Sequence, residues 1–221
     1  MSTIYTPLTY VNESNDPAIN ATNLNKNEQA TYSLSLDTNT LRKVSKGRID
    51  NVPLLALTLL NGKLLDPPIT VGTNPRGLCF DGIYMYVANY NSNSVNVINA
   101  STHNLYTTIT VGTNPSGLCF DGTYVYVANS GGTTVSVIDV STHTVSTTIT
   151  VGTNPIEVCF DGNYIYTTMY GSDDLYIISK NTLSVIKTIE TGPNPANICF
   201  DGTYIYIANY GSNNISVLVG L

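Results

Sequence analysis

The sequence predicts an all-β protein, a small β-propeller of about four 40-residue, four-stranded blades preceded by an N-terminal segment with a short helix. A stretch of about 40 residues is repeated four times, and each copy holds short strand-like runs separated by turn residues, which is the size and make-up of a propeller blade. The copies begin with ITVGTNP, ITVGTNP, ITVGTNP and IETGPNP at Ile69, Ile109, Ile149 and Ile189. Residues that recur in every copy are interpreted as architecture, and those that break the pattern as candidates for function.

The domain prediction follows from the repeats. Residues 1–52 are assigned to an N-terminal anchor or assembly segment and residues 53–221 to the propeller, with repeats at 69–108, 109–148, 149–188 and 189–221. The last copy ends after its third strand, and residues 62–71 resemble a fourth strand placed before the first copy. We therefore predict a ring closed within one chain by strand 62–71. The alternative is an open array completed by a second chain, for instance eight blades from a dimer.

Within one repeat the strands alternate with turn signals. In the second copy Asp121-Gly122 predicts a type I′ hairpin turn, because Asp and Gly tolerate positive φ. The alternation of aromatic and β-branched residues around it favours strands. The predicted strands of this copy are Gly117–Phe120, Tyr124–Asn129, Val135–Val140 and Val145–Val151. Ser-Thr-His forms the turn before the fourth strand, and His103 and His143 are interpreted as turn residues because they share this position.

The order of the hairpins creates two faces with different sequence behaviour. The Asp-Gly turns are the same in all copies, which indicates a structural role for their face. The opposite face varies after each Asn-Pro and in the loop between the second and third strands. Aromatic rings beside amides and carboxylates suit carbohydrate binding, although the same tyrosines could simply cap the blade core. The candidate ligand-binding residues are Tyr90, Tyr170, Tyr210, Arg76, Glu157, Asp173 and Asp174.

Composition excludes several classes of function. The net charge is −6 and the repeats hold no cluster of Lys or Arg, which argues against a nucleic-acid partner. The longest apolar run, Pro53–Leu60, is too short to span a bilayer, so no membrane insertion is predicted. The N-terminus lacks the basic and apolar regions of a secretory signal. We predict no cofactor, no metal site, no catalytic residue and no enzymatic activity, because no P-loop, dinucleotide fingerprint, calcium loop or catalytic triad is found.

The cysteines follow the repeat. Cys79, Cys119, Cys159 and Cys199 each precede the phenylalanine of the first strand of a copy. Equivalent positions in neighbouring blades are predicted to lie about 10 Å apart, beyond the reach of a disulfide. These residues are therefore interpreted as small buried hydrophobic side chains rather than as disulfides, ligands or nucleophiles.

The repeat resembles the YVTN family of β-propeller repeats. The resemblance rests on Tyr86-Val-Ala-Asn89, Tyr126-Val-Ala-Asn129 and Tyr206-Ile-Ala-Asn209, each followed by a strand of the SVxVI type, and it covers about residues 62–221. The third copy departs from it, since Tyr166-Thr-Thr-Met169 lacks the asparagine. The resemblance implies a propeller and specifies no chemistry.

The N-terminus resembles a segment found in phage and prophage virion proteins. Residues 17–29, PAINATNLNKNEQ, are similar to the PAINAxNLNKIEQ opening of tail and fibre components, mostly from phages of Gram-positive hosts. The resemblance implies attachment to other virion proteins, homo-oligomerisation in the particle and a virion location. Asn20 or Thr22 could cap a helix that begins near Asn23, which either anchors the chain or packs on its own propeller. The candidate assembly residues are Pro17, Ile19, Leu24, Tyr32 and Leu41.

The expected function combines these two resemblances. The N-terminal segment attaches the chain to a phage or prophage particle, and the propeller displays a face toward a cell-surface glycan or protein receptor. Two alternatives remain open. One is a purely structural decoration or collar protein that packs against other virion proteins, and the other is a bacterial surface or scaffold protein of the YVTN type.

Overall fold

The computed structural model describes residues 67–220 and shows a row of antiparallel sheets that follow one another along the chain. Three sheets have four strands and the last has three, each in sequence order, so every sheet is one blade. The blades are β1–β4 (Pro75–Phe80, Tyr84–Asn89, Ser94–Asn99, Leu105–Thr110), β5–β8 (Pro115–Phe120, Tyr124–Asn129, Thr134–Asp139, Thr144–Thr150), β9–β12 (Pro155–Phe160, Tyr164–Met169, Asp174–Ser179, Ser184–Glu190) and β13–β15 (Pro195–Phe200, Tyr204–Asn209, Asn214–Val219). The predicted all-β propeller is confirmed.

The strand predictions for the second copy agree with the structure to within two residues. β6 spans Tyr124–Asn129 as predicted, and β5 begins two residues earlier than expected, at Pro115. A short 3-10 helix, Tyr90–Ser92, lies between β2 and β3. Among the described residues no helix has the length and apolar character needed to cross a membrane.

The hydrophobic core lies between blades. Each of three clusters of buried side chains joins one blade to the next, as Val95 and Val97 of blade 1 do with Leu118 of blade 2. The second strand of a blade is apolar on both sides because it is covered by a neighbour on each side. Stability in such an array comes from contacts between nearest neighbours.

The motif asparagine stabilises the middle of its blade. Asn129 is fully buried, and its Nδ2 donates to the hydroxyls of Thr134 at 3.0 Å and Ser136 at 2.9 Å. A Cβ at Gly112 would lie only 2.5 Å from Asn129 Cγ, so in blades 1, 2 and 4 the glycine before Asn-Pro leaves room for the asparagine. In blade 3 Met169 takes the asparagine position and is also fully buried.

The Asp-Gly turns have a different geometry from the predicted one. A type I′ turn needs positive φ at both central residues, whereas between Asp121 and Tyr124 only Gly122 has a positive φ, of 100°. Asp121 contributes through its side chain instead. Its Oδ1 accepts hydrogen bonds from the backbone N–H groups of Thr123 and Tyr124, and its Oδ2 accepts one from the hydroxyl of Tyr126.

The two ends of the row of blades are not in contact through their inner strands among the described residues. Inner strands of successive blades are neighbours, β1 with β5, β5 with β9 and β9 with β13, but among the described residues no comparable contact joins β13 to β1. Residues 68–71 contain no strand, and β15 is paired only with β14. The closure of the ring within one chain by strand 62–71 stays a prediction. Residues 62–66, the N-terminal segment 1–52, its helix and its candidate assembly residues lie outside the described residues.

Candidate functional site

The connections β2–β3 and β4–β5, with their equivalents in the other blades, form what we call the loop face. Asparagines of the Asn-Pro motif have positive φ values between 52° and 57°. The Asn114 carbonyl accepts a hydrogen bond from Ser130 N at 3.0 Å within its own blade, while its Nδ2 donates to the Tyr90 carbonyl of the blade before at 3.0 Å. The motif therefore fixes the loops of neighbouring blades to one another.

A β-bulge lies at the variable positions after each Asn-Pro. In all four blades the register of the inner strand shifts between the proline and the residue three positions later. Bulges redirect side chains and are frequent beside functional sites. The bulged pairs are Arg76–Gly77, Ser116–Gly117, Ile156–Glu157 and Ala196–Asn197. The residues that vary most between the copies thus occupy the place where the strand geometry is irregular.

The structure brings two of the candidate residues together in blade 1. The Arg76 guanidinium lies over the Tyr90 ring, 3.5 Å from its centroid, in cation–π geometry. Arg76 is exposed and Tyr90 is half-buried. The pair is a flat, positively charged platform at the loop face.

A second pair of candidates meets across the boundary between blades 3 and 4. The ring centroids of Tyr170 and Tyr210 are 6.4 Å apart, with an interplanar angle of 36°. Tyr210 is 74% exposed, the largest exposure among the exposed hydrophobic side chains of the described residues. In blade 2 the equivalent residue is Ser130, whose hydroxyl donates to the Asn114 carbonyl, so the aromatic platform is interrupted there.

Glu157 is the one candidate whose charge is poorly solvated. It lies against the inner strand of blade 2, where a Cβ at Gly117 would be 2.7 Å from Glu157 Cα. Burial raises the pKa of its carboxyl group, and one weak hydrogen bond from Val158 N, at 3.3 Å, partly opposes this. A carboxyl group in such a position is suited to exchange protons closer to neutral pH.

The two remaining candidates belong to the framework of blade 3. Asp173 has a φ of 61°, and its Oδ1 accepts a hydrogen bond from Asn194 N at 2.8 Å. Asn93 does the same for Asn114 in blade 1, so the aspartate follows the repeat pattern rather than breaking it. Asp174 opens β11 and lies opposite Glu190 of the outer strand β12. The structure therefore leaves Arg76–Tyr90, Tyr170–Tyr210 and Glu157 as three separate features.

The opposite side, which carries the Asp-Gly and Ser-Thr-His turns, is what we call the turn face. It holds a cluster that the sequence reasoning missed. His143 has the positive φ expected of a turn residue, 53°, but its Nδ1 also lies 3.1 Å from the Tyr86 hydroxyl. Its ring packs edge-on against Tyr84 and Tyr106, at centroid distances of 4.8 and 4.9 Å. The Tyr86 hydroxyl donates to Asp81, and burial together with the Asp81 charge raises the Tyr86 pKa. The cluster joins blade 2 to blade 1. Leu183, at the position equivalent to His143, packs in the same way between blades 2 and 3.

The four cysteines are free, as predicted, but less buried than expected. Cys79, Cys119 and Cys159 are half-buried and Cys199 is exposed. Burial raises the pKa of Cys79 to about 12 and that of Cys159 to about 11, so both are thiols at neutral pH. Within residues 67–220 no group of three or more His, Cys, Asp or Glu side chains is placed to hold a metal ion.

Comparison with known protein families assigns the chain to one family. The profile of the family described as "Lactonase, 7-bladed beta-propeller" matches residues 69–219, more than half of the chain. The chain belongs to this family. It is a β-propeller repeat protein, which confirms the coarser part of the predicted resemblance. The match conflicts with the prediction from the sequence that the chain has no enzymatic activity, because the family is named for an enzyme. No curated protein matches the sequence.

Solved structures support the fold of this lactonase-family propeller. One is "Kuenenia stuttgartiensis Hydrazine Synthase", with a TM-score of 0.60, 23% identity, and coverage of 70% of this chain and 48% of that one. Another is "Dihydro-heme d1 dehydrogenase NirN in complex with DHE", with a TM-score of 0.55, 20% identity, and coverage of 68% and 36%. The chain thus spans less than half the length of either structure. At this level of identity the similarity concerns the fold alone.

Proposed function

We propose that this chain is a particle-associated recognition protein whose propeller presents its loop face to a carbohydrate or protein receptor on a cell surface. The observation that carries the proposal is the Tyr170–Tyr210 pair, an exposed aromatic platform on the variable face. A tyrosine ring stacks on the apolar face of a sugar, while amides and carboxylates nearby bond its hydroxyl groups. The attachment role rests on the resemblance of residues 17–29 to virion proteins.

The loop face combines rigidity with exposure. Asn194 Nδ2 donates to the Tyr170 carbonyl at 3.1 Å, and Tyr210 N donates to the Asn194 carbonyl at 3.0 Å, so both tyrosine backbones are held by one asparagine. A preordered platform loses little conformational entropy when a ligand binds. Arg76 over Tyr90 adds a second platform suited to an acidic or hydroxylated group. Weak binding at single sites would be strengthened by several copies in a particle.

The test is binding of the full chain to cell-wall polysaccharide purified from Gram-positive bacteria. Tyr210→Ala and Tyr90→Ala should each weaken binding about two- to tenfold, since a stacked aromatic ring contributes about 0.5–1.5 kcal/mol. Tyr204→Ala is the matched control, because Tyr204 is 40% exposed but follows the Asp-Gly turn on the turn face. Equal loss in all three variants, or binding that no variant changes, would contradict a site on the loop face.

A second candidate function is hydrolysis of a lactone, favoured by the family match together with Glu157. A carboxyl group with a raised pKa can act as a general base near neutral pH. Here Glu157 would take a proton from water as the water oxygen attacks the lactone carbonyl. The ring C–O bond then breaks, and its oxygen receives the proton to give a hydroxy acid.

Acid release from a panel of five- and six-membered sugar lactones would test this candidate. Glu157→Gln should abolish the release, while Asp174→Asn, a carboxylate change at the start of β11 in the same blade, should leave it intact. The absence of acid release by the parent chain above the uncatalysed rate would reject this activity for the panel.

A further inference from the structure

Within residues 67–220, the two ends of the row of blades carry complementary faces that no other blade covers. In each interior interface one blade contributes side chains of its second and third strands, which we call its outgoing face. The next blade contributes the leucine-like residue of its inner strand and side chains of its own second and third strands, which we call its incoming face. Val135 and Val137 of blade 2 meet Val158 of blade 3 in this way. Leu175 and Ile177 of blade 3 likewise meet Ile198 of blade 4. Blade 4 has an outgoing face and blade 1 an incoming face that no blade of the described chain covers.

Exposure changes sharply at these two faces. Val135, Val137, Leu175 and Ile177 are all 0% exposed, whereas Ile215 and Val217 at the same places in blade 4 are 64% and 57% exposed. On the other side Leu118 and Val158 are 7% and 4% exposed, whereas Leu78 of blade 1 is 63% exposed. Val87, the cross-strand partner of Leu78, and Ile98 belong to the same face and are 5% exposed, so the open part of this face is its inner-strand edge at Leu78. Exposed apolar residues grouped in this way indicate a contact surface.

Blade 4 has no outer strand among the described residues, and the residue that the repeat places in such a strand is unpaired there. Ile109 and Ile149 pair with Val95 and Val135 in the outer strands of blades 1 and 2, where they are 6% and 5% exposed. Ile69 is at the same place in the repeat, lies in no strand and is 40% exposed. By the same register its partner would be Ile215. One chain thus holds both halves of a strand pair that is not formed among the described residues.

A cleft of about 330 Å³ lies beside blade 4, where no further inner strand follows within residues 67–220. Its lining includes Ala196, Asn197, Asn209, Tyr210 and Ile215. At the interior interfaces the next inner strand fills this place. Leu118 lies against Gly77, and Glu157 lies against Gly117. By the repeat, the group that fits the cleft is the bulge and the leucine of another blade 1, Arg76 to Leu78.

We propose that two copies of this chain join into one ring of eight blades, in which blade 4 of each copy packs on blade 1 of the other. Residues 68–71 of each copy extend as the outer strand of the other's blade 4. A four-bladed ring requires a turn of about 90° between neighbouring blades, while seven require about 51° and eight about 45°. The family is seven-bladed, and β13 is not beside β1 among the described residues. Two arcs related by a twofold axis close without leaving a free face.

The first test is the mass of the full chain in solution. The parent should have twice the mass of Ile215→Asp and of Leu78→Asp, because a charge placed in either face leaves it buried and unpaired. Ile83→Asp is the matched control, since Ile83 is 62% exposed at the Asp-Gly turn of blade 1, and it should keep the mass of the parent. Far-ultraviolet circular dichroism checks that each variant remains folded. The same mass for the parent and both face variants would overturn the proposal.

The second test separates exchange between chains from closure within one chain. Arg76→Cys and Asn197→Cys are prepared as separate proteins, mixed, and treated with a short bismaleimide. A two-chain product is expected from the mixture and not from the parent, whose four native cysteines control for background. The absence of this product, or a ladder of three and more chains that shows an open filament, would overturn the ring of two.

Discussion

Blade 2 and blade 4 share their strand and turn motifs but have different surroundings. Tyr126, Val135 and Val137 of blade 2 are completely buried, whereas Ile215 and Val217 of blade 4 are more than half exposed. The first three strands, the Asp-Gly turn and the hydrogen bond from the motif asparagine to a serine hydroxyl are the same in both. Local structure in this protein is therefore set within a repeat, while most of the burial that stabilises it is supplied by the neighbouring repeat.

Blade 3 adds a second contrast. Met169 takes the place of the motif asparagine and, like it, is fully buried, and Thr168 forms a bond to the next blade that the other copies lack, from its hydroxyl to the Ala196 carbonyl at 3.1 Å. The blade keeps its four strands after losing the asparagine. The asparagine thus contributes to the blade's stability without being needed for the fold.

The largest expected effect compares equivalent residues of an interior and an end face. Leu175→Ala should lower the free energy of unfolding by about 2–5 kcal/mol, because it leaves a cavity between two blades. Ile215→Ala should change it by less than about 0.5 kcal/mol in the monomer, since Ile215 is already exposed. Urea denaturation at a dilution where the chain is monomeric measures both. Equal losses would mean that the outgoing face of blade 4 is covered within the chain.

The next comparison uses the glycine before the Asn-Pro motif. Gly112→Ala should destabilise by about 1–3 kcal/mol, because the added Cβ would lie 2.5 Å from a side chain, Asn129, that two hydrogen bonds hold in place. Gly152→Ala should be close to neutral. Its Cβ would lie 3.1 Å from Cγ of Met169 and 3.2 Å from the Ser172 hydroxyl and the Tyr176 ring. Small shifts of these side chains relieve the contacts, and the loss of glycine freedom in the unfolded chain compensates for them. Thermal unfolding of the two variants in parallel would show whether the buried asparagine side chain is what excludes a Cβ at this glycine position.

A smaller difference is expected at the tyrosine that bonds the turn aspartate. Tyr126→Phe removes a buried hydroxyl that donates to Asp121 at 2.9 Å and should cost about 1–2 kcal/mol. Tyr206→Phe removes the same bond to Asp201 at the end of the row and should cost less, because water can replace the hydroxyl there. The control is a double variant with Phe at both positions. Its loss in the free energy of unfolding should equal the sum of the two single losses. If Tyr206→Phe cost more, the end blade would not be the more solvated one.

The smallest effect concerns the pH dependence at Glu157. The folded-state pKa lies above the ordinary value of 4.5, so the folded protein holds this proton more tightly than the unfolded chain does. Its contribution to stability is therefore present below about pH 4.5 and is lost as the pH rises through the folded-state pKa. Glu157→Gln removes this loss, so the variant should gain stability relative to the parent between pH 4 and pH 7. A constant difference across this range would show that the carboxyl group does not titrate abnormally.

Much of the fold follows from the repeat. Its period, the Asp-Gly turn and the alternation around Tyr124–Asn129 predict four strands per blade, because these signals act within a few residues. The type of the turn was predicted wrongly, since the Asp121 side chain replaces a backbone bond that turn statistics do not describe. The site was predicted only in part. Variation between the copies identified Arg76 and Glu157 as candidates, but it also identified Asp173. Asn93, at the equivalent position of the first repeat, already indicated a structural role there.

The sequence by itself determined the blade, the number of copies in the chain and the face on which the copies differ. Only the tertiary structure decided which identical residues are buried, that the varying pair forms a bulge, and that His143 meets Tyr84 and Tyr106 of the preceding blade. The angle between blades, which decides whether four copies close, is likewise a property of the packed interfaces. The physical reason is that hydrogen-bonded strands and turns are local, while burial depends on what lies on the other side of a face.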